Sequence, residues 1–280
     1  MPRDYFVVQT KWLSTPDLTN TIMQAGGPKP KLKDSLLRLN LEYVDIYLVH
    51  GPIHPSKIST VAKGMADCME SGMARAVGVA NYDTKEMIKM ADEPAKHNVP
   101  LSVCQCEYSI VRRLPKVSGI IREYKKRIVC FQGFASLAEG RLSGKYPRFN
   151  EPQRRQHFSS YPMHTLEPTI NVLKSIAEER RVPVPAVALN YFINRGVLPL
   201  VGVRDAGQSE QDMQALGWRP TEDEMKQIEG PHAIAQVPAK GRALGNWRDF
   251  ECFRDISSFG HIPNPTSALR VHQMLTCDLA

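Results

Sequence analysis

The chain holds no run of about 20 apolar residues, the length a helix needs to cross a bilayer. Nor does it open like a secretory leader: MPRDYFVVQTKWL carries Asp4 and lacks a long apolar core and a small-residue cleavage site. A cytoplasmic protein with no membrane contact is the expectation. Six cysteines, at 68, 104, 106, 130, 252 and 277, form no CxxC pair and stand at no zinc-like spacing from a histidine. Reduced packing thiols are expected, with Cys104 and Cys106 on one side of a strand. His50 and His54 are four apart, but Pro52 and Pro55 preclude the helix that would put them on one face, so no metal site is expected. There is no GxGxxG sequence either, which leaves a doubly wound dinucleotide fold without its fingerprint. The net charge is +7, yet the lysines and arginines are dispersed and lack interleaved aromatics, which argues against a nucleic-acid partner.

What is there is the composition of a folded domain. The 280 residues are 42% hydrophobic and 23% charged, enough for one sizeable core. Short apolar runs alternate with helical patterns, the signature of βα units around a parallel sheet. Six strands are predicted: Tyr5 to Lys11, Tyr43 to His50, Ala74 to Ala80, Leu101 to Cys106, Arg127 to Gly133 and Leu198 to Val203. Between them, Ile58, Val61, Met65, Cys68 and Met69, and later Leu166, Ile170, Leu173, Ile176 and Ala177, recur at helical spacing. Asp83 to Glu86 and Thr221 to Glu224 read as capping boxes. From Gly230 on, Pro231, Pro238, Gly241, Gly245, Pro263 and Pro265 punctuate a stretch without sustained period. Residues 1–229 are therefore read as one barrel domain and 230–280 as a loop-rich tail.

Two polar residues close apolar strands on the side where barrel enzymes keep their active sites: Lys11 after Phe6 to Thr10, and His50 after Val44 to Val49. A lone lysine after a strand is commonly a surface charge, and a lone histidine a satisfied polar group. Placed together they suit one carbonyl oxygen, the lysine as fixed charge and the histidine as hydrogen-bond donor.

The segment Leu36-Leu37-Arg38-Leu39 through Tyr43-Val44-Asp45-Ile46-Tyr47-Leu48-Val49-His50-Gly51-Pro52 is similar to the signature of the aldo-keto reductases around their catalytic histidine. Gly78 to Tyr82 resembles that family's GVSNY strand end, Gln105 with Glu107-Tyr108 its NQVEY strand, and Phe134 to Tyr146 its YSPLAQGxLTGKY loop. Val201 to Arg204 with Gln208 resembles its PGAKxxxQ segment, and Ala215 to Trp218 its following helix. The resemblance runs in order over residues 3–229. It implies an α/β fold of the (β/α)8 TIM-barrel type lacking its first two strands, and an NADP-dependent enzyme reducing an aldehyde or ketone with NADPH.

The resemblance further implies roles. Lys11 and His50 would act at the carbonyl. Ala80, Asn81 and Gln105 would meet the nicotinamide carboxamide, and Phe134 would stack on its ring. Ala135, Leu137, Gly140 and Leu142 would wrap the pyrophosphate. Gly202, Arg204 and Gln208 would hold the 2′-phosphate, with Asp212 near adenine; the forked cation of Arg204 favours NADP over NAD. Each has a plainer reading: turn chemistry at Asn81, a half-buried polar group at Gln105, core at Phe134, surface charge at Arg204.

The family's tyrosine and aspartate lie in a segment like GxRxIDTAxxYG upstream of the lysine strand, which this chain does not contain, so a truncated chain is expected. Tyr47 is no substitute, because three residues before His50 it points to the opposite face. Ala80 stands where the family has serine, and Asp212 where it has asparagine. Two alternatives stay open beside the reductase: an inactive NADP-binding homologue and a non-functional truncated fragment. Substrate identity lies with the loops Gly51 to Lys57 and Pro147 to His164 and the tail, and oligomeric state is not legible.

Overall fold

The computed structural model describes residues 2–13, 27–52, 54, 56–96, 98–147 and 162–230. The tail, and most of the loop from Pro147 to His164, lie outside the described residues. Six strands follow one another in chain order in a single sheet: β1 (Gln9–Trp12), β2 (Val44–Val49), β3 (Ala74–Ala80), β4 (Leu101–Glu107), β5 (Cys130–Phe134) and β6 (Leu198–Leu200). β1 to β4 pair in parallel, with Lys11 beside Leu48, Leu48 beside Gly78, and Ala80 beside Gln105.

Helices fill the intervals: α1 (Pro28–Leu39), α2 (Ile58–Glu70), α3 (Thr84–Ala95), α4 (Leu114–Val117), α5 (Ile120–Lys126), α6 (Met163–Arg180), α7 (Val184–Ile193), α8 (Ala206–Met213) and α9 (Glu222–Glu229). Local sequence accounts for most of them. Pro28 opens α1 where its missing N–H costs nothing. The stripes on α2 and α6 are buried as their spacing predicts. Both capping boxes form, Asp83 accepting from the Glu86 N–H and Thr221 from the Glu224 N–H, with each glutamate bonding back.

By internal contacts the described residues divide into two compact units, the first within residues 1–106 and 119–132, the second within residues 107–118 and 133–230. In the first, β3 lies between β2 and β4 and carries small residues. A Cβ at Gly78 would lie 2.2 Å from the Val103 carbonyl oxygen and 2.6 Å from Leu48 Cδ2, so only glycine fits. In the second, α7 is buried along Pro185 to Phe192 and packs against α6, α8, β6 and a 3-10 segment at Ala138–Ser143.

Several boundaries differ from expectation. β1 starts at Gln9 rather than Tyr5, because Arg3–Tyr5 form a 3-10 turn. Arg3 holds that turn by donating to the Phe6 carbonyl and pairing with Asp45 at 2.6 Å, its guanidinium 4.3 Å from the Tyr43 ring centre. Lys11 lies inside the strand rather than closing it, because β1 runs on to buried Trp12, which pairs with Val49. β5 starts at Cys130, since the chain leaves α5 through Ile128 in a left-handed conformation (φ 57°). β6 ends at Leu200, and Ala215 to Trp218 form a turn after α8, with Gly217 at φ 83°, rather than a helix.

Candidate active site and cofactor-binding residues

On β4 the alternation of a strand sorts side chains to opposite faces. Cys104 and Cys106 face the helical side, where the Cys104 thiol bonds to the Tyr124 hydroxyl of α5. Gln105 faces the other way and meets Lys11, whose Nζ donates to its Oε1 at 2.9 Å. Gln105 is 2% exposed, and its Nε2 donates at 2.9 Å to Oε1 of Gln132 on β5. Gln132 and Gln9 then exchange a reciprocal pair of amide bonds, at 3.0 and 2.9 Å. Four side chains from β1, β4 and β5 thus form one polar chain ending in an ammonium. Lys11 keeps solvent access, yet the protein packed around its side chain lowers its pKa by desolvation.

His50 follows β2, its N–H donating to the Trp12 carbonyl at 2.8 Å and its carbonyl accepting from Asn81 Nδ2 at 3.0 Å. Burial, with the charge of Lys11 adding to it, holds the imidazole down at about 4. At neutral pH His50 is therefore an uncharged hydrogen-bonding group. Asn81 sits at φ 60°, a conformation asparagine tolerates, so its turn chemistry and its bond to His50 both account for the residue type. Ala80 is buried beside Gln105. Tyr47 points away as expected, its buried hydroxyl donating to the Pro28 carbonyl at 2.9 Å.

In the second unit the candidates occupy turns rather than strand interiors. Phe134 ends β5, and the chain then passes through left-handed conformations at Ala135 (φ 55°), Ala138 (φ 48°), Glu139 (φ 55°) and Gly140 (φ 92°). Consecutive residues of this kind are strained unless something holds them. Here Leu142 is fully buried, and Leu137 packs with Val201 on the cluster of Ala186, Leu189 and Ala215. That packing ties the loop after β5 to the end of β6 through α7.

Beyond β6, Gly202 and Arg204 are exposed. The Arg204 N–H donates to Gln208 Oε1 at 3.1 Å, and the Gln208 N–H donates to Asp205 Oδ1 at 2.8 Å, capping α8. The Arg204 guanidinium has no protein partner among the described residues, an arrangement suited to an external phosphate. Asp212 on α8 is half-buried, and its carboxyl is pushed up to about 6 by desolvation despite the charge of Lys145.

Sequence reasoning missed Gln9 and Gln132. The signal was present, since Gln9 shares a strand face with Lys11 and Gln132 interrupts the apolar run Val129 to Phe134. The His54–Tyr82 pair, 3.3 Å apart, was missed as well. Among the described residues no three histidines, cysteines or carboxylates cluster to hold a metal, and no helix is long and apolar enough to cross a membrane.

The model of the aldo/keto reductase family matches residues 1–231. The chain belongs to this family. Among family relatives, it is 30% identical over 202 residues to the chloroplastic pyridoxal reductase of Arabidopsis thaliana, covering 70% of this chain and 54% of that protein. It is 27% identical over 229 residues to the L-glyceraldehyde 3-phosphate reductase of Escherichia coli K12, covering 76% and 66%. The chain therefore spans between about half and two thirds of these relatives' length. An aldo-keto reductase of Bombyx mori solved with NADP superposes with a TM-score of 0.65 at 19% identity, over 89% of this chain and 74% of that one. The fold is accordingly of the (β/α)8 barrel type found in this family, and the described residues supply six of its strands.

Proposed function

We propose that this protein is an NADP-dependent oxidoreductase that reduces an aldehyde or ketone to an alcohol. The observation that carries the reading is the pair Lys11 and His50, an ammonium and an uncharged imidazole from neighbouring parallel strands, in a chain of this family. Relatives named for reducing pyridoxal and L-glyceraldehyde 3-phosphate, and a structural neighbour solved with NADP, support the reaction class and the cofactor.

NADPH, when bound, supplies a hydride. Lys11 holds positive charge where negative charge develops on the carbonyl oxygen, and His50 offers an N–H to the same oxygen. Asn81 and Gln105 are the amides for the carboxamide; with one bond each to oxygen and nitrogen, Gln105 retains a lone pair and an N–H. Ala80 lines the same position without a hydroxyl. Phe134 provides an aromatic face for the nicotinamide, and the turn through Ala135, Leu137, Gly140 and Leu142 presents backbone to the pyrophosphate. The guanidinium of Arg204, without a protein partner among the described residues and on the turn fixed by Gln208 with Gly202 before it, suits the 2′-phosphate; Asp212 lies at the adenine position, where a carboxylate in place of an amide weakens cofactor affinity. The substrate partner is a small carbonyl compound.

The test is NADPH oxidation by the purified chain with a panel of aldehydes and ketones, beside Lys11→Met and His50→Gln. Turnover falling roughly 100-fold or more in each folded variant is expected. NADPH binding without turnover on any substrate would identify a cofactor-binding homologue instead. A folded chain that binds no NADPH would overturn the reading.

A further inference from the structure

We infer that Gln132 and Gln9 are positioning residues for Lys11, acting through Gln105. The inference rests on the reading of Lys11 as the charge at the carbonyl. A primary amide has a donor end and an acceptor end, so a chain of amides transmits orientation. Oε1 of Gln132 accepts from Gln9 Nε2 at 3.0 Å and from Gln105 Nε2 at 2.9 Å, while its Nε2 donates to Gln9 Oε1 at 2.9 Å. With an oxygen facing it from Gln132, Gln105 must turn its nitrogen that way and its oxygen to Lys11. Reversing Gln105 would set an NH2 against an ammonium and an oxygen against an oxygen.

Burial makes that orientation expensive to change. Gln132 is fully buried and Gln105 nearly so, where an unpaired amide loses water without gaining a partner. Small residues leave room for the crossing: Ala76, Gly78 and Ala80 of β3 share the face over which Lys11 reaches from β1 to β4. Because every partner in the chain is a neutral amide, the ammonium is aimed without being neutralised. His50, which follows β2, is a titratable neighbour, and it is uncharged at neutral pH.

The test is direct titration of Lys11 by NMR in the full chain with isotope-labelled lysine, the signal being assigned with Lys11→Met. Gln132→Met removes the acceptor that orients Gln105, and Gln9→Met releases one end of Gln132. The charged form then loses its aimed acceptor, so the Lys11 pKa is expected to fall, by about half a unit or more in Gln132→Met and less in Gln9→Met. Turnover should fall roughly tenfold in kcat. If Gln132→Met does not fold, Gln9→Met decides. An unchanged Lys11 titration in the folded variants would overturn the positioning role even if wild-type turnover is normal. A shifted titration in a protein without turnover would keep that role and discard the catalytic reading of Lys11.

Discussion

The two groups of candidate residues are built by opposite means. In the first unit, Lys11, His50, Gln105 and Gln132 sit on or at the ends of strands; hydrogen bonds to buried amides orient Lys11, Gln105 and Gln132, and burial sets the charge of His50. In the second, Arg204 and Gly202 are exposed, and the neighbouring loop contributes backbone conformation more than side chains. Chemistry at a carbonyl needs groups whose charge state and direction are fixed in advance, which a packed strand face provides. Recognition of a phosphate needs accessible cations and N–H groups, which a turn held from behind provides.

Replacing glycine tests that contrast most severely. Gly78→Ala places a methyl group against the Val103 carbonyl and should cost about 3 kcal/mol or more in chemical denaturation. Gly202→Ala meets no atom within 4 Å, and should leave stability within about 0.5 kcal/mol of the parent.

Acidity should separate the regions next. His50 has its folded pKa depressed from 6.5 to about 4. As pH falls below 6.5 the unfolded chain takes a proton that folded His50 refuses, so stability is lost down to about pH 4, by about 1–3 kcal/mol. Asp212 has its pKa raised from 3.8 to about 6, so its contribution is fully present below 3.8 and is lost as pH rises through 6. Denaturation between pH 4 and 7 should therefore show His50→Gln removing part of the acid-side loss, and Asp212→Asn removing part of the loss on the neutral side. A smaller loss belongs to the caps, one in each unit. Asp83→Ala and Thr221→Ala should each cost about 1 kcal/mol, a shift of a few degrees in Tm.

Much of this was legible because local chemistry and tertiary structure agree. β3 was read to its exact residues, its buried run bounded by Gly72 and by the Asp83 cap. Both capping boxes and the stripes of α2 and α6 are likewise local patterns. α7 was not read, because it is apolar all round and has no amphipathic period to detect. The ends of β1 and β5 were misplaced for a different reason. An ion pair between Arg3 and Asp45, 42 residues apart, fixes one, and a left-handed Ile128 fixes the other. Strand-end position singled out Lys11 and His50 as candidates, and the family motifs added Asn81, Gln105 and Arg204. They did not locate Gln9 and Gln132, whose meaning depends on strands far apart in sequence facing each other.

The most direct test of the account is a fluorescence titration of the chain and its Arg204→Ala and Lys11→Met variants with NADPH and with NADH. The account predicts that the parent prefers NADPH, that Arg204→Ala loses roughly 10- to 100-fold for NADPH and almost nothing for NADH, and that Lys11→Met binds NADPH about as tightly as the parent. Equal affinity of the folded parent for the two nucleotides, unmoved by Arg204→Ala, would contradict it.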